Sequence, residues 1–211
     1  SGGGMIIENS HVKIFNLKIN NNRASIGGGM SLRYSNPLLT NVIISDNIAL
    51  DEGGGVFIGS SYPVFTNVFI FGNISYFFSG GLAIYNSIPT MTKVTISNNL
   101  AYSSANFHTG GMSLYDSNAM LSNVILWDNN PTQSFHLFLS TITITYSNID
   151  GGWDGEGNIN SNPLFTDPEN SDYTLQVNSP CIDAGIADLD NDGNNDLQFA
   201  GSAPDMGAFE Y

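Results

Sequence analysis

Basic residues are nearly missing from this chain. Its 211 residues hold five Lys and Arg against nineteen Asp and Glu, a formal net charge of −14. Phosphate contacts need Lys and Arg, so nucleic acid is excluded as a partner class. Anionic membrane surfaces fit no better. Charge of either sign is scarce, at 11% of residues, against about 25% in an average globular domain. Cys181 is the single cysteine, so no intrachain disulfide can form. No apolar run is long enough to cross a bilayer as a helix, and these residues are not expected to insert into a membrane. Strong helix formers give way to 27 Asn and 23 Gly, nearly a quarter of the chain, which disfavours long helices. Disorder is disfavoured as well, because Val, Ile, Leu and Phe recur at regular intervals. No secretory leader is visible, and the chain opens at Ser1-Gly2-Gly3-Gly4, inside a motif. It reads as a fragment or mature product of something longer.

What is present is a repeat. Residues 30–47 align without gaps on 56–73, 82–99, 112–129 and 5–22. The closing asparagines Asn22, Asn47, Asn73, Asn99 and Asn129 lie 25, 26, 26 and 30 residues apart. A glycine run precedes each unit, as in Gly27-Gly28-Gly29 and Gly53-Gly54-Gly55. All length variation falls between the closing Asn and the next glycines. Inside the unit the apolar period is two: Met30 and Leu32, then Val42 and Ile44, with equivalents in every copy. Alternation over short runs means strands with one buried face. Short strands in units of this length, separated by turns, are the coils of a parallel β-helix. The expected fold is all-β, a right-handed single-stranded parallel β-helix with a loop-rich C-terminal cap. Coils spaced by about 4.8 Å would stack the asparagines into an internal amide ladder. Ser10, Ser35, Ser61, Ser87 and Ser117 would form a second row. Residues 135–145 form a degenerate last unit without a glycine run.

Charge divides the chain near residue 150. All five basic residues lie in the first 93 positions, whereas the stretch from Asp150 onward carries thirteen acids and no Lys or Arg. This predicts β-helix coils over 1–149 and an acidic C-terminal cap over 150–211.

Two family resemblances rest on these residues. Ile44-x-x-Asn47-x-Ala49 followed by Gly53-Gly54-Gly55-Val56 resembles the repeats of polymorphic outer-membrane proteins and of right-handed, pectate-lyase-like β-helix proteins. That fold hosts lyases, glycosidases, adhesins and passenger domains, so the resemblance implies architecture and no single activity. The tail, with Asn162-Pro163-Leu164-Phe165, Ser179-Pro180-Cys181-Ile182-Asp183-Ala184-Gly185 and Ala203-Pro204-Asp205-Met206-Gly207-Ala208-Phe209-Glu210-Tyr211, resembles the choice-of-anchor Q end of secreted bacterial surface proteins. That resemblance implies export and display at the cell surface, and it implies no reaction.

The sharpest local motif is Asp188-Leu189-Asp190-Asn191-Asp192-Gly193-Asn194-Asn195-Asp196. Alternating oxygen ligands with Gly in sixth place match the first half of a calcium loop. Asp188, Asp190, Asp192, Asn194 and Asp196 are the candidate calcium ligands, with Asp183 or Asp205 as a distant supplement. The twelfth position is Phe199, where an EF-hand places Glu, and a solvated acidic turn is the competing reading. Asp154 and Glu156 are spaced loosely enough for a glycosidase pair, which needs about 5–9.5 Å between carboxyls, or for a plain polar loop. The central basics Arg33 and Lys93 fall in different columns of the repeat, which opposes a uronate lyase. Cys181 reads as a small buried side chain.

A binding surface follows from the period of two. With Met30 and Leu32 inward, the outward columns read Glu8, Arg33, Gly59, Tyr85, Tyr115 and Ile6, Ser31, Phe57, Ala83, Ser113. Tyr85 and Tyr115 would stack on adjacent coils. The long connections 74–79 and 100–109 add Tyr76, Phe77, Phe78, Tyr102, Asn106, Phe107 and His108. Arg33, Phe57, Tyr85, Tyr115, Asp116, Tyr102 and His108 are the candidate contacts for a polysaccharide or cell-surface glycan; a solvated strand with structural aromatic stacking is the alternative. The functional expectation is a secreted or cell-surface module, scaffold or glycan-binding, stabilised by calcium. Its rivals are the C-terminal part of a polysaccharide lyase or glycoside hydrolase, and an adhesin or autotransporter-like passenger.

Overall fold

The computed structural model describes residues 2–102, 108–131 and 134–211. Asn106 and Phe107, named above, lie outside them. The described coils form an all-β solenoid whose strands stack in parallel into three sheets along one axis, and Phe165–Asp167 and Asp172–Leu175 pair antiparallel beyond them. The first sheet contains Met5–Glu8, Met30–Arg33, Val56–Gly59, Leu82–Tyr85, Met112–Tyr115 and Phe135–Phe138. The second runs through Lys13–Asn20, Leu38–Ser45, Val64–Phe71, Thr90–Ser97, Asn118–Ser122 and Thr141–Thr145. Short strands Arg23–Ile26, Ile48–Glu52, Ile74–Ser75 and Leu100–Ala101 make the third. The register is the one the repeat predicts: Met5, Met30, Val56, Leu82 and Met112 pair in turn, and Phe135 of the degenerate unit joins them.

The inward columns fill the interior. Met30, Leu32, Leu39, Ile44, Phe65, Ile70, Leu82, Ile96 and Met112 are wholly buried in one continuous core. At the far end the loop after Ile149 closes the stack. Trp153 packs on that core and meets Phe135 edge-to-face at 5.2 Å.

The asparagine ladder forms and is buried. Each side-chain oxygen accepts from the backbone N–H and the amide of the Asn one coil earlier: Asn73 Oδ1 from Asn47, and Asn99 Oδ1 from Asn73, at 2.9–3.0 Å. The second amide hydrogen goes to a backbone carbonyl, Asn73 to Ile44 and Asn99 to Ile70. No polar capacity is left over at this bend, which is why the amide is tolerated inside. The serine row behaves likewise: each hydroxyl donates two residues back along its own chain and accepts the N–H of the preceding coil, through to Ser140.

Further asparagines serve the corners. Asn16, Asn41, Asn67 and Asn123 share a left-handed corner, as do Asn9 and Asn86, and Asn21 and Asn98. Asn is among the few side chains that enter this region cheaply. The glycine run has a different cause. A Cβ at Gly28 would lie 2.4 Å from the Gly54 carbonyl of the next coil, so the coils can stack closely here only without side chains.

Residues 160–211 do more than cap the end; they turn back along the outer face of the second sheet. Leu175, Cys181 and Met206 pack on Ile125, and Tyr173 and Phe209 pack on Phe69 and Phe71. The Thr95 hydroxyl accepts from Ala208 N–H, Asn123 exchanges two hydrogen bonds with Ile186, and Lys93 pairs with Glu210.

Candidate functional site

Tyr85 and Tyr115 occupy equivalent positions at the ends of Leu82–Tyr85 and Met112–Tyr115. Their rings lie parallel within 6°, with centroids 4.8 Å apart, and both are partly exposed. The row extends in both directions. Phe138 lies 6.1 Å beyond Tyr115, and Phe57 stacks 5.6 Å from Tyr85. The Arg33 guanidinium covers the other side of Phe57 at 4.8 Å, a cation–π contact.

Phe57 reaches this row from the neighbouring column. The position opposite Tyr85 is Gly59, and a Cβ there would stand 3.0 Å from the Phe57 ring. The ring thus occupies the space that the glycine leaves open. Of the column Ile6, Ser31, Phe57, Ala83, Ser113, expected on the solvated face, Ile6 is exposed but the other four are buried. The corner is the reason. The turn into the strand folds back over its start, so the Ser79 hydroxyl bonds that of Ser113, and a Cβ on Gly27 would sit 3.2 Å from Phe57 Cβ.

A residue that the column reading missed completes the site. Glu52 ends Ile48–Glu52, next to the glycine corner, and accepts a hydrogen bond from the Tyr85 hydroxyl. Burial pushes its carboxyl above the usual range, and the Tyr85 hydrogen bond opposes this. The same burial and the Glu52 contact push the Tyr85 phenol upward. Arg33, Glu52, Phe57, Ser60, Tyr85 and Asn86 line a cleft of about 250 Å³. The sequence signal was available: Glu52 immediately precedes the glycines that lead into this sheet.

The other candidates fall around this row. His108 is 5% exposed, stacked on Phe78 at 4.8 Å and bonded to the Phe77 carbonyl. Phe78 in turn meets Tyr115 edge-on, so His108 buttresses the row from behind. Tyr102 stacks on Tyr76 at 5.4 Å, and both are exposed, on the third-sheet side. Asp116 is exposed at a left-handed corner directly after Tyr115.

In the acidic loop, carboxylate oxygens of Asp188, Asp190 and Asp196 all lie within 4.8 Å of one another. Two oxygens on one calcium ion are separated by at most about 5 Å, twice the metal–oxygen distance. That spacing is compatible with one shared cation, and Asp188, Asp190 and Asp196 also accept backbone N–H groups of their own loop. Asp192 turns elsewhere and accepts from the backbone and side-chain N–H groups of Asn194. Asp183 and Asp205 are also committed elsewhere. Asp183 accepts from Ser202 and Ala203, which holds its carboxyl below the usual range, and Asp205 accepts from Asp183 and Tyr211.

The catalytic arrangements considered from sequence do not assemble among the described residues. Asp154 lines a cleft of about 610 Å³ with Trp153 and Asn160, whereas Glu156 binds the Tyr146 hydroxyl and faces a different cleft. Arg33 lies on the first sheet, and Lys93 is buried on the second against Glu210. Burial pushes the Cys181 thiol up to about 11, leaving a packing residue that accepts from Asn148.

The stacked coils define the class, and the family described as right handed beta helix region matches residues 1–148. The chain belongs to that family. Among solved structures it is similar to the crystal structure of pectate lyase Pel9A, at 15% identity and a TM-score of 0.46, covering 95% of this chain and 66% of that one. The chain thus spans just under two thirds of that enzyme, and a likeness of this degree carries no argument about activity. No curated protein matches it in sequence.

Proposed function

We propose that this chain is an exported, cell-surface β-helix module that binds a polysaccharide along the aromatic row of its first sheet, with the C-terminal strap stabilised by calcium. The carrying observation is the Tyr85–Tyr115 stack, partly exposed and continuous with Phe57 and Arg33. Rings stacked on successive coils turn their edges outward as a preorganised apolar ridge with little entropy left to lose on binding. Sugar C–H groups can pack against such a ridge, and the hydroxyls find partners in Arg33, Glu52 and Asn86 at its edge. The choice-of-anchor Q resemblance of the tail supports export and display. The three converging carboxylates support calcium, which extracellular fluids supply in abundance.

A glycan array probed with and without calcium tests this reading. Binding to polysaccharide that Tyr115→Ala weakens by at least about tenfold, in a variant that still melts cooperatively, is the expected result. Binding that Tyr115→Ala leaves unchanged, or none to any glycan, overturns it.

A further inference from the structure

We propose that Glu52 makes this cleft selective for neutral sugars over uronates, an inference that rests on the glycan reading of the aromatic row. Glu52 Oε2 is held by the Tyr85 hydroxyl, and among the described residues Oε1 accepts no hydrogen bond. The carboxylate therefore keeps open acceptor sites at the edge of the aromatic row, where hydroxyls of a sugar seated in the cleft would arrive. Its backbone is fixed as well. The Glu52 carbonyl accepts from Gly27 N–H, and Glu52 bridges to Phe78 on the following coil. The acceptor is thus built into the wall of the cleft.

Charge decides the class of sugar. Arg33 is the cation of the cleft, but its guanidinium sits over the Phe57 ring, donates to the Ser31 hydroxyl and makes no ion pair with Glu52 among the described residues. Asp51 is exposed beside Glu52. Two carboxylates against one guanidinium leave a net negative field at this edge. A uronate would bring another anion next to a partly desolvated Glu52, whereas a neutral hexose offers it hydroxyl donors. Loss of one such repulsion, at several ångströms and an intermediate dielectric, is worth about tenfold in affinity.

The test measures affinities for hexasaccharides of glucose, galactose and mannose, and for the uronate hexamers of the same linkages, by calorimetry. The unmodified protein is expected to favour the neutral member of the pair it binds by at least about tenfold. Glu52→Gln keeps the shape and should bring the two within about threefold; Glu52→Asp keeps the charge and should preserve the preference. Arg33→Gln should move the ratio the other way and weaken the uronate further. If the unmodified protein binds a uronate as well as its neutral counterpart, or if Glu52→Gln leaves the ratio unchanged, this inference falls while the glycan reading stands. If none of the hexasaccharides binds, both fall.

Discussion

The first and second sheets share one core and one register, yet their outer faces have opposite fates. On the second sheet, Phe69, Phe71 and Thr95 point outward and are buried, because the strap from residues 160–211 lies across them. On the first sheet, Tyr85 and Tyr115 point outward and stay partly open. Nothing in the alternation of either strand set separates the two cases. The difference comes from what the chain does afterwards. Cys181, Met206 and Phe209 belong to apolar clusters that join the strap to the second sheet, and the Lys93–Glu210 pair ties the strap there. Exposed aromatics thus collect where no strap covers them, which is the condition for a binding surface.

Substitutions can separate the shared spine from the two faces. The largest loss is expected for Asn73→Leu, which strikes the spine that both faces depend on. It orphans Asn47 N–H, one hydrogen of the Asn47 amide and the Ile44 carbonyl together. At about 1–3 kcal/mol for each unsatisfied group, the total should reach at least about 3 kcal/mol, or about 6–12 °C in melting temperature. Met206→Ala comes next. It empties a buried site under the strap and should cost about 2–4 kcal/mol in chemical denaturation. It should leave glycan affinity unchanged, and a parallel loss of affinity would show that the two faces are coupled.

Calcium tests the strap by another route. At ten times its dissociation constant, an ion bound only to the native state adds about 1.4 kcal/mol. A chelator should lower the melting temperature and expose the tail to protease ahead of the coils. Superimposed melting curves would make the Asp188–Asp196 loop a solvated turn. On the open face, Tyr115→Ala should cost less than about 1.5 kcal/mol in stability, because the ring is only partly buried. The same substitution should remove at least about tenfold in glycan affinity. A stability loss larger than that of Met206→Ala would mean that the aromatic row is structural.

The spine was legible because a stacked repeat writes each contact several times: the asparagine and serine rows can be read from spacing alone. The row of aromatics was half legible. Tyr85 and Tyr115 follow from the period of two, but Phe57 filling the space above Gly59 requires knowing that a ring two residues away leans sideways. Glu52 was missed because it lies on the third sheet, across a corner whose sharpness no periodicity encodes. The strap was least legible. Its contacts with Phe69 and Thr95 span more than a hundred residues and occur once, so no repetition marks them. The 27 asparagines carry a further lesson: many serve left-handed corners, and the ladder accounts for only one per coil.

The smallest expected effect separates the faces by pH. Glu52, on the open face, has its carboxyl raised above 4.5 by burial, so between that value and its raised value the native state holds more protons than the unfolded chain. Its contribution to stability therefore declines as pH rises through that window. Asp183, in the strap, is shifted the other way: the N–H groups of Ala203 and Ser202 hold it below 3.8, so its contribution is present above that value and is lost as pH falls through its lowered one. Acid should thus loosen the strap while relieving the cleft. Melting temperatures of the unmodified protein, Glu52→Gln and Asp183→Asn, followed across the carboxylate range, check both signs. Glu52→Gln should lose part of the decline at the upper end of that range. Asp183→Asn should lose part of the acid-side fall, and its tail should be cut by protease at neutral pH as the unmodified tail is in acid. If the two substitutions change the profile in the same direction, the opposition between the faces does not extend to their carboxylates.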